Sequence, residues 1–174
     1  MAQPYQPYGA APVSGTPAGL GARFLARLVD GIVLLVASVL VGNVLGVGVA
    51  ATGSTGTDGL DLAVVVSTLV TVALQFAYFG FLDSTQGGTL GKKLLRLRVV
   101  APDGRSHVSF TESVKRNVFF ALSLVGLVPS LGLIASVVSL VALLGIAVQI
   151  SQDTVRRQAW HDRYAGGTQV VKVG

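Results

Sequence analysis

Three long stretches of the chain are almost wholly apolar, and the polar residues are gathered between them. Residues 28–51 and 62–82 each supply the roughly 20 apolar residues that suffice to cross a bilayer. Residues 117–150 form a third run, 34 residues long and without a charge. One straight helix of that length would reach about 50 Å, well beyond a hydrocarbon core of about 30 Å. Val128-Pro-Ser-Leu-Gly132 interrupts the run near its middle, so the pattern predicts two short limbs, 117–131 and 133–150, returning as a tight hairpin. The expectation is an all-α membrane protein with four membrane-embedded helical segments.

The polar segments have their own patterns. Residues 1–21, rich in Pro, Gly, Tyr and Gln and free of charge, predict a disordered leader with polyproline II character. They lack the basic and apolar regions of a cleavable signal, so the first membrane helix is expected to serve as its own uncleaved signal. In the loop 83–116, Leu95-Arg-Leu-Arg-Val99 alternates as a strand does. Pro102-Asp-Gly104 then signals a turn, and residues 106–110 are expected to return as the second strand of a β-hairpin. Thr111 is the expected cap of the helix that re-enters the membrane. The tail 151–174 ends in a candidate strand, 168–173, which would make the cytoplasmic element three-stranded. The chain thus reads as a leader, 1–21, followed by one membrane domain, 22–174.

Charge supplies the topology. Of 174 residues only 12% are charged, against roughly a quarter in soluble domains, and the mean hydropathy is +0.68. All 13 Lys and Arg fall before the first span, in the central loop or in the tail, while residues 52–61 carry two acids and no base. The positive-inside rule then places both termini and the central loop in the cytoplasm, with the short 52–61 turn outside. An even number of crossings follows. The net charge of +5 is accounted for by topology rather than by nucleic-acid binding. There is no cysteine, which excludes disulfides and thiolate metal sites.

The candidate chemistry lies at one interface. Arg23, Arg27 and Asp30 are spaced four and three apart, which puts all three on one face of a helix at the mouth of the first span. A carboxylate there is costly unless paired or wetted. Asp162 follows the last span closely enough to return to the same interface, and Lys92 is a further candidate partner. Within the spans, Gly42 and Gly46 have the spacing that lets a second helix approach, and Asn43 and Gln75 are polar groups near the midplane. Tyr78, Phe79 and Phe81 suit an interfacial aromatic belt, as do Trp160, His161 and Tyr164.

Gly87-Gly-Thr-Leu-Gly91-Lys92-Lys93 fails as a phosphate loop. Gln86 stands where the first glycine is required, and Lys93 replaces the Ser or Thr that would hold magnesium. A glycine-bearing turn through Gly91, with Lys92 and Lys93 at headgroup level, fits better. Two histidines without an acidic helix motif, and no serine in a nucleophile elbow, argue against an enzyme. No cofactor or metal is expected.

Three blocks in order, GARFLARLVDG, GGTLGKKLLRLRVVAPDGR and AWHDRYAGGTQVV, resemble the RDD family of bacterial membrane proteins, over roughly residues 23–171. The arginine and two aspartates of that name match Arg23, Asp30 and Asp162. The resemblance implies a small transporter, with cation/proton exchange proposed for some members. Two readings stay open: Asp30 exchanging a proton for a cation, or an ion-pair cluster that pins the tail to the first helix. A transporter of this size would be expected to form a homo-oligomer. The alternative is a membrane scaffold or accessory subunit whose basic loop recruits a partner or anionic lipid headgroups.

Overall fold

The computed structural model describes residues 15–51, 62–103 and 105–173, with the side chains of 45–51 and Pro129 left aside. Three of its helices are long and apolar enough to cross a membrane: residues Leu20–Val44 of α1 (Leu20–Ala51), α2 (Leu62–Gln86) and α6 (Gly132–Gln152). Their outward faces carry exposed Val39, Leu40, Leu69, Leu133 and Val141. Surfaces of that composition are matched by acyl chains rather than by water.

A fourth helix long enough to cross a membrane is not shown among the described residues. Residues 118–131 comprise a 3₁₀ turn, Val118–Ala121, a single helical turn, α5 (Leu122–Val125), and a second 3₁₀ turn, Pro129–Leu131. Pro129 cannot donate to a continuing ladder, and extended Val128 before it breaks the helix. Even unbroken, fifteen helical residues would cover only about 22 Å.

One side of the molecule is closed by a small antiparallel sheet in the order β1 (Thr16–Pro17), β3 (Gln169–Lys172), β2 (Leu97–Val100). Thr16 pairs with Lys172, and Leu97 through Val100 pair with Lys172 through Gln169. The sheet draws the start of α1, the central loop and the tail to a single face. The expected hairpin is therefore corrected: β2 takes the C-terminal strand as its partner, and residues 106–109 lead straight into α4 (Phe110–Arg116). The cap of α4 is Ser109, not Thr111. Ser109 and Glu112 form a reciprocal capping box, which removes any reason for 106–109 to pair as a strand. Thr16 and Pro17, expected in the disordered leader, form the third strand instead; residues 1–14 lie outside the described part.

Ala18, Ala26, Leu97, Val99, Ala101, Val108 and Val170 form the core under the sheet, with Ala22 against it. Small residues on the first turns of α1 let the sheet lie close upon the helix. The 87–91 turn needs its glycines. Gly87 has φ +71°, and a Cβ on Gly91 would lie 2.1 Å from the Ala26 carbonyl oxygen. The other expected close approach is not present: Gly42 has nothing within 4 Å of where its Cβ would be. The surroundings of Gly46 lie outside the described residues.

Candidate functional site

α1 begins eight residues before the predicted start of the first span, so Arg23, Arg27 and Asp30 all lie on helix, as their spacing predicted. They nonetheless go to three different destinations. Arg23 and Asp30 are seven residues apart, about 10 Å along the axis, too far to share one partner.

Arg23 is tied to the tail. Its Nη1 donates to Asp162 Oδ2 at 3.2 Å and its Nε to the Ala18 carbonyl at 3.1 Å. Asp162 stands in the first turn of α7 (Trp160–Tyr164), where the Ala159 amide also donates to Oδ2. Arg116 from α4 brings Nε to 2.9 Å from Asp162 Oδ1, an ion contact without hydrogen-bond alignment. Asp162 is completely buried, and both arginines are nearly so. Burial alone would raise the Asp162 carboxyl, but Arg116, His161 and Arg23 outweigh it and hold the group below the usual carboxylate range. His161 is pushed down to about 3, by burial first and then by Arg116, Arg27 and Arg23 against the pull of Asp162. Its ring is neutral at pH 7, so its 3.6 Å approach to Asp162 is not an ion pair there.

Asp30 is also completely buried, yet no cation touches it. Its Oδ1 accepts from the Tyr78 hydroxyl and the Gly91 amide, both at 2.8 Å. Its Oδ2 accepts from the Thr89 hydroxyl at 2.6 Å. These donors join α1 to α2 and to the turn before α3 (Leu90–Leu94). Gly91 explains why the sequence needs a glycine here: only a missing side chain lets its N–H reach the carboxylate past Ala26.

Lys92 belongs to neither aspartate named by the sequence analysis. It is buried on α3, with Nζ 2.6 and 2.8 Å from the two oxygens of Asp83 on α2. Ser113 of α4 donates to the Phe79 carbonyl at 3.0 Å and reaches Asp83 at 3.4 Å. Burial pushes the Lys92 ammonium down to about 8, with Asp83 opposing. The headgroup-level position expected for Lys92 is corrected by this burial; Lys93 is the exposed member of the pair.

Arg27 makes no ion pair among the described residues. Its Nη2 donates to Asn117 Oδ1 at 2.7 Å, and its guanidinium lies over the Phe79 ring, 4.2 Å from the centroid. Phe119 and Phe120 flank it, each 5.7 Å away. Phe79 is fully buried here rather than part of an interfacial belt, and so is His161 rather than an anchor.

Arg23, Arg27, Lys92, Arg116 and His161 line one end of a cleft of about 710 Å³ between α1, α2 and α6. No carboxylate is among its lining residues. The cleft continues past Thr71 and Gln75 between Leu34 and Leu35 of α1 and Leu143 and Leu144 of α6. Of the polar residues expected at the midplane, Gln75 faces this cleft; Asn43 instead donates to its own helix at the Val39 carbonyl and is exposed.

The sequence reading thus found Arg23 with Asp162, and missed Tyr78, Thr89, Asp83, Arg116 and Asn117 as partners. Thr89, next to the glycine turn, carried a readable signal: a small donor beside a backbone amide that a carboxylate could span. Nothing in the sequence paired Arg116 with Asp162.

The RDD family profile matches residues 17–166, which spans Arg23, Asp30 and Asp162. YxaI of Bacillus subtilis (strain 168), an uncharacterized protein, is 33% identical over 129 residues, covering 68% of this chain and 83% of its own. No solved structure matches the chain. A profile match over residues 17–166, most of the length, makes this chain a member of the RDD family.

Proposed function

We propose that this membrane protein is a non-transporting scaffold or accessory module, in which the arginines and aspartates of the family clasp the tail to the membrane helices. The observation that carries this reading is that both aspartates are buried, Asp30 among three hydrogen-bond donors and Asp162 between two arginines, and neither lines the cleft. A carboxylate that carries ions by exchange needs access to the pathway. Asp30 is instead held by three donors from two other segments, and Asp162 by two arginines. At that end of the cleft Arg23 and Arg116 are paired with Asp162 and Lys92 with Asp83. Arg27, without a carboxylate partner among the described residues, disfavours the entry of a metal cation.

In this reading the sheet side, where the basic residues collect, faces the cytoplasm. Exposed Lys93, Arg96, Arg105, Lys115, Arg156 and Arg163 then form the surface that meets a partner or anionic headgroups. The transport reading keeps one observation in its favour. The cleft reaches Gln75, whose Oε1 is buried without a hydrogen-bond partner.

Proteoliposomes separate the two. Well-folded native protein is expected to show no sodium- or potassium-driven proton movement above empty vesicles. Cation-dependent proton flux that disappears in Asp30→Asn, at matched amounts of folded protein, would overturn the scaffold reading.

A further inference from the structure

The cleft has a polarity that the clasp does not explain. Its charged end is bordered by buried hydrogen-bonding atoms without a partner in the described structure: Arg27 Nη1, Arg116 Nε and Nη1, and His161 Nδ1, with Asp162 Oδ1 behind them, 2.9 Å from Arg116 Nε. Arg116 is 3% exposed, so water outside cannot serve it. Buried polar groups of this kind are normally satisfied, and orphaned donors on guanidinium groups carry the largest penalty. Arg27, Arg116 and His161 all line one cleft; no carboxylate is in its wall, Asp162 and Asp83 standing behind it, and Arg27 has no ion pair among the described residues. The complement of such a corner is an oxyanion able to accept several N–H bonds at once.

The rest of the cleft is apolar. Leu34 and Leu35 lie seven and eight residues beyond Arg27 on α1, about 10–12 Å along the axis. On α6, Leu143 and Leu144 stand six or seven residues from Ile150, which lies near the cationic end. Both apolar walls therefore begin at the charged corner and run about 10 Å into the membrane layer. A space of about 710 Å³ lies within the ordinary range of ligand sites.

We propose that this cleft is a binding site for a lipid with a net-negative phosphate headgroup, taken from the membrane leaflet on the sheet side. The phosphate accepts from Arg27 and Arg116 beside the His161 ring, and an acyl chain lies between Leu34–Leu35 and Leu143–Leu144. A free phosphate shares the first chemistry but not the second. The proposal rests on the reading that the cleft is not a cation path, and it adds an occupant that the clasp itself does not require.

The test is native mass spectrometry of the full chain released from detergent, titrated in separate arms with phosphatidic acid, phosphatidylcholine and inorganic phosphate. Two variants accompany it. Arg27→Gln removes the cation that lacks a carboxylate partner. Leu35→Trp fills the chain end at a residue 63% exposed, where a larger side chain leaves the fold intact. The expected result is saturable one-to-one binding of phosphatidic acid, at least tenfold tighter than phosphatidylcholine and weakened at least tenfold by either substitution. Equal affinity for the two lipids would overturn the proposal, as would absence of saturable binding. Inorganic phosphate binding as tightly as phosphatidic acid, with no effect of Leu35→Trp, would overturn the lipid assignment and leave the scaffold reading standing. Cation-driven flux in the proteoliposome assay would sink the scaffold reading by itself, whatever lipid is bound.

Discussion

Removing the Asp162 charge should do more damage than removing the Asp30 charge, although both aspartates are equally buried. Asp162→Asn preserves shape and leaves Arg23 and Arg116 beside each other, 8% and 3% exposed, with no carboxylate to compensate either. Breaking a buried ion pair by deleting one partner costs about 3–5 kcal/mol, because a desolvated charge remains. Two stranded guanidinium groups place this case at the upper end. Asp30→Asn strands no cation. It weakens bonds from Tyr78, Thr89 and Gly91, and a hydrogen bond to a charged group is worth about 1.5–3 kcal/mol. The two hydroxyls can turn to suit an amide, while the fixed Gly91 N–H can keep the amide oxygen. Denaturant unfolding in mixed micelles, followed by the emission of Trp160, the sole tryptophan, gives both values. The double variant Arg116→Gln/Asp162→Asn supplies the internal check, because removing one stranded cation should recover part of the loss. Residues in one ion network couple by about 0.5–3 kcal/mol. If Asp162→Asn stays within about 0.5 kcal/mol of the native protein, or if the double variant is additive, the clasp argument is refuted.

The remaining expectations are narrower. Gly91→Ala should sharply reduce folded protein, since its Cβ would be 2.1 Å from the Ala26 carbonyl oxygen, while Gly42→Ala should be silent; size-exclusion yield compares them. Ser109→Ala removes the α4 capping box and should cost about 1 kcal/mol in the same unfolding assay. Acid should destabilise the fold through His161 before it reaches the carboxylates. The folded-state value of about 3 lies below the ordinary imidazole value, so the unfolded chain binds the extra proton as pH falls from about 6.5. Stability should then drop by at most about 1.4 kcal/mol per pH unit between roughly pH 6 and 4. His161→Gln should flatten that slope, and an unchanged slope would count against a buried neutral ring. Asp162, held low by its arginines, keeps its contribution throughout that window and loses it only at lower pH.

Much of the architecture was legible because lipid imposes a simple rule on sequence. Long uncharged runs must be helices where no water can satisfy the backbone, so residues 28–51, 62–82 and 133–150 announced the three long helices. The spacing of Arg23, Arg27 and Asp30 placed them correctly on one helix, and the alternation at 95–99 announced β2. Ser109 and Glu112 were also readable in principle, since a serine three residues before a glutamate is a local signal. What local pattern cannot carry is the choice of partner. β2 pairs with a strand about 70 residues later rather than with its neighbour, because β3 and β1 offer a sheet that buries Val99 and Val170 over Ala26. Arg116, the last residue of the polar loop by sequence, reaches Asp162 only because α4 packs on α7. Asp30 looked like the partner of the nearby arginines, and three neutral donors from distant turns took it instead. Sequence determines which residues must avoid lipid or water. Only the tertiary structure decides which of them meet, because a buried charge is satisfied by whatever group the packing of other elements brings within about 3 Å.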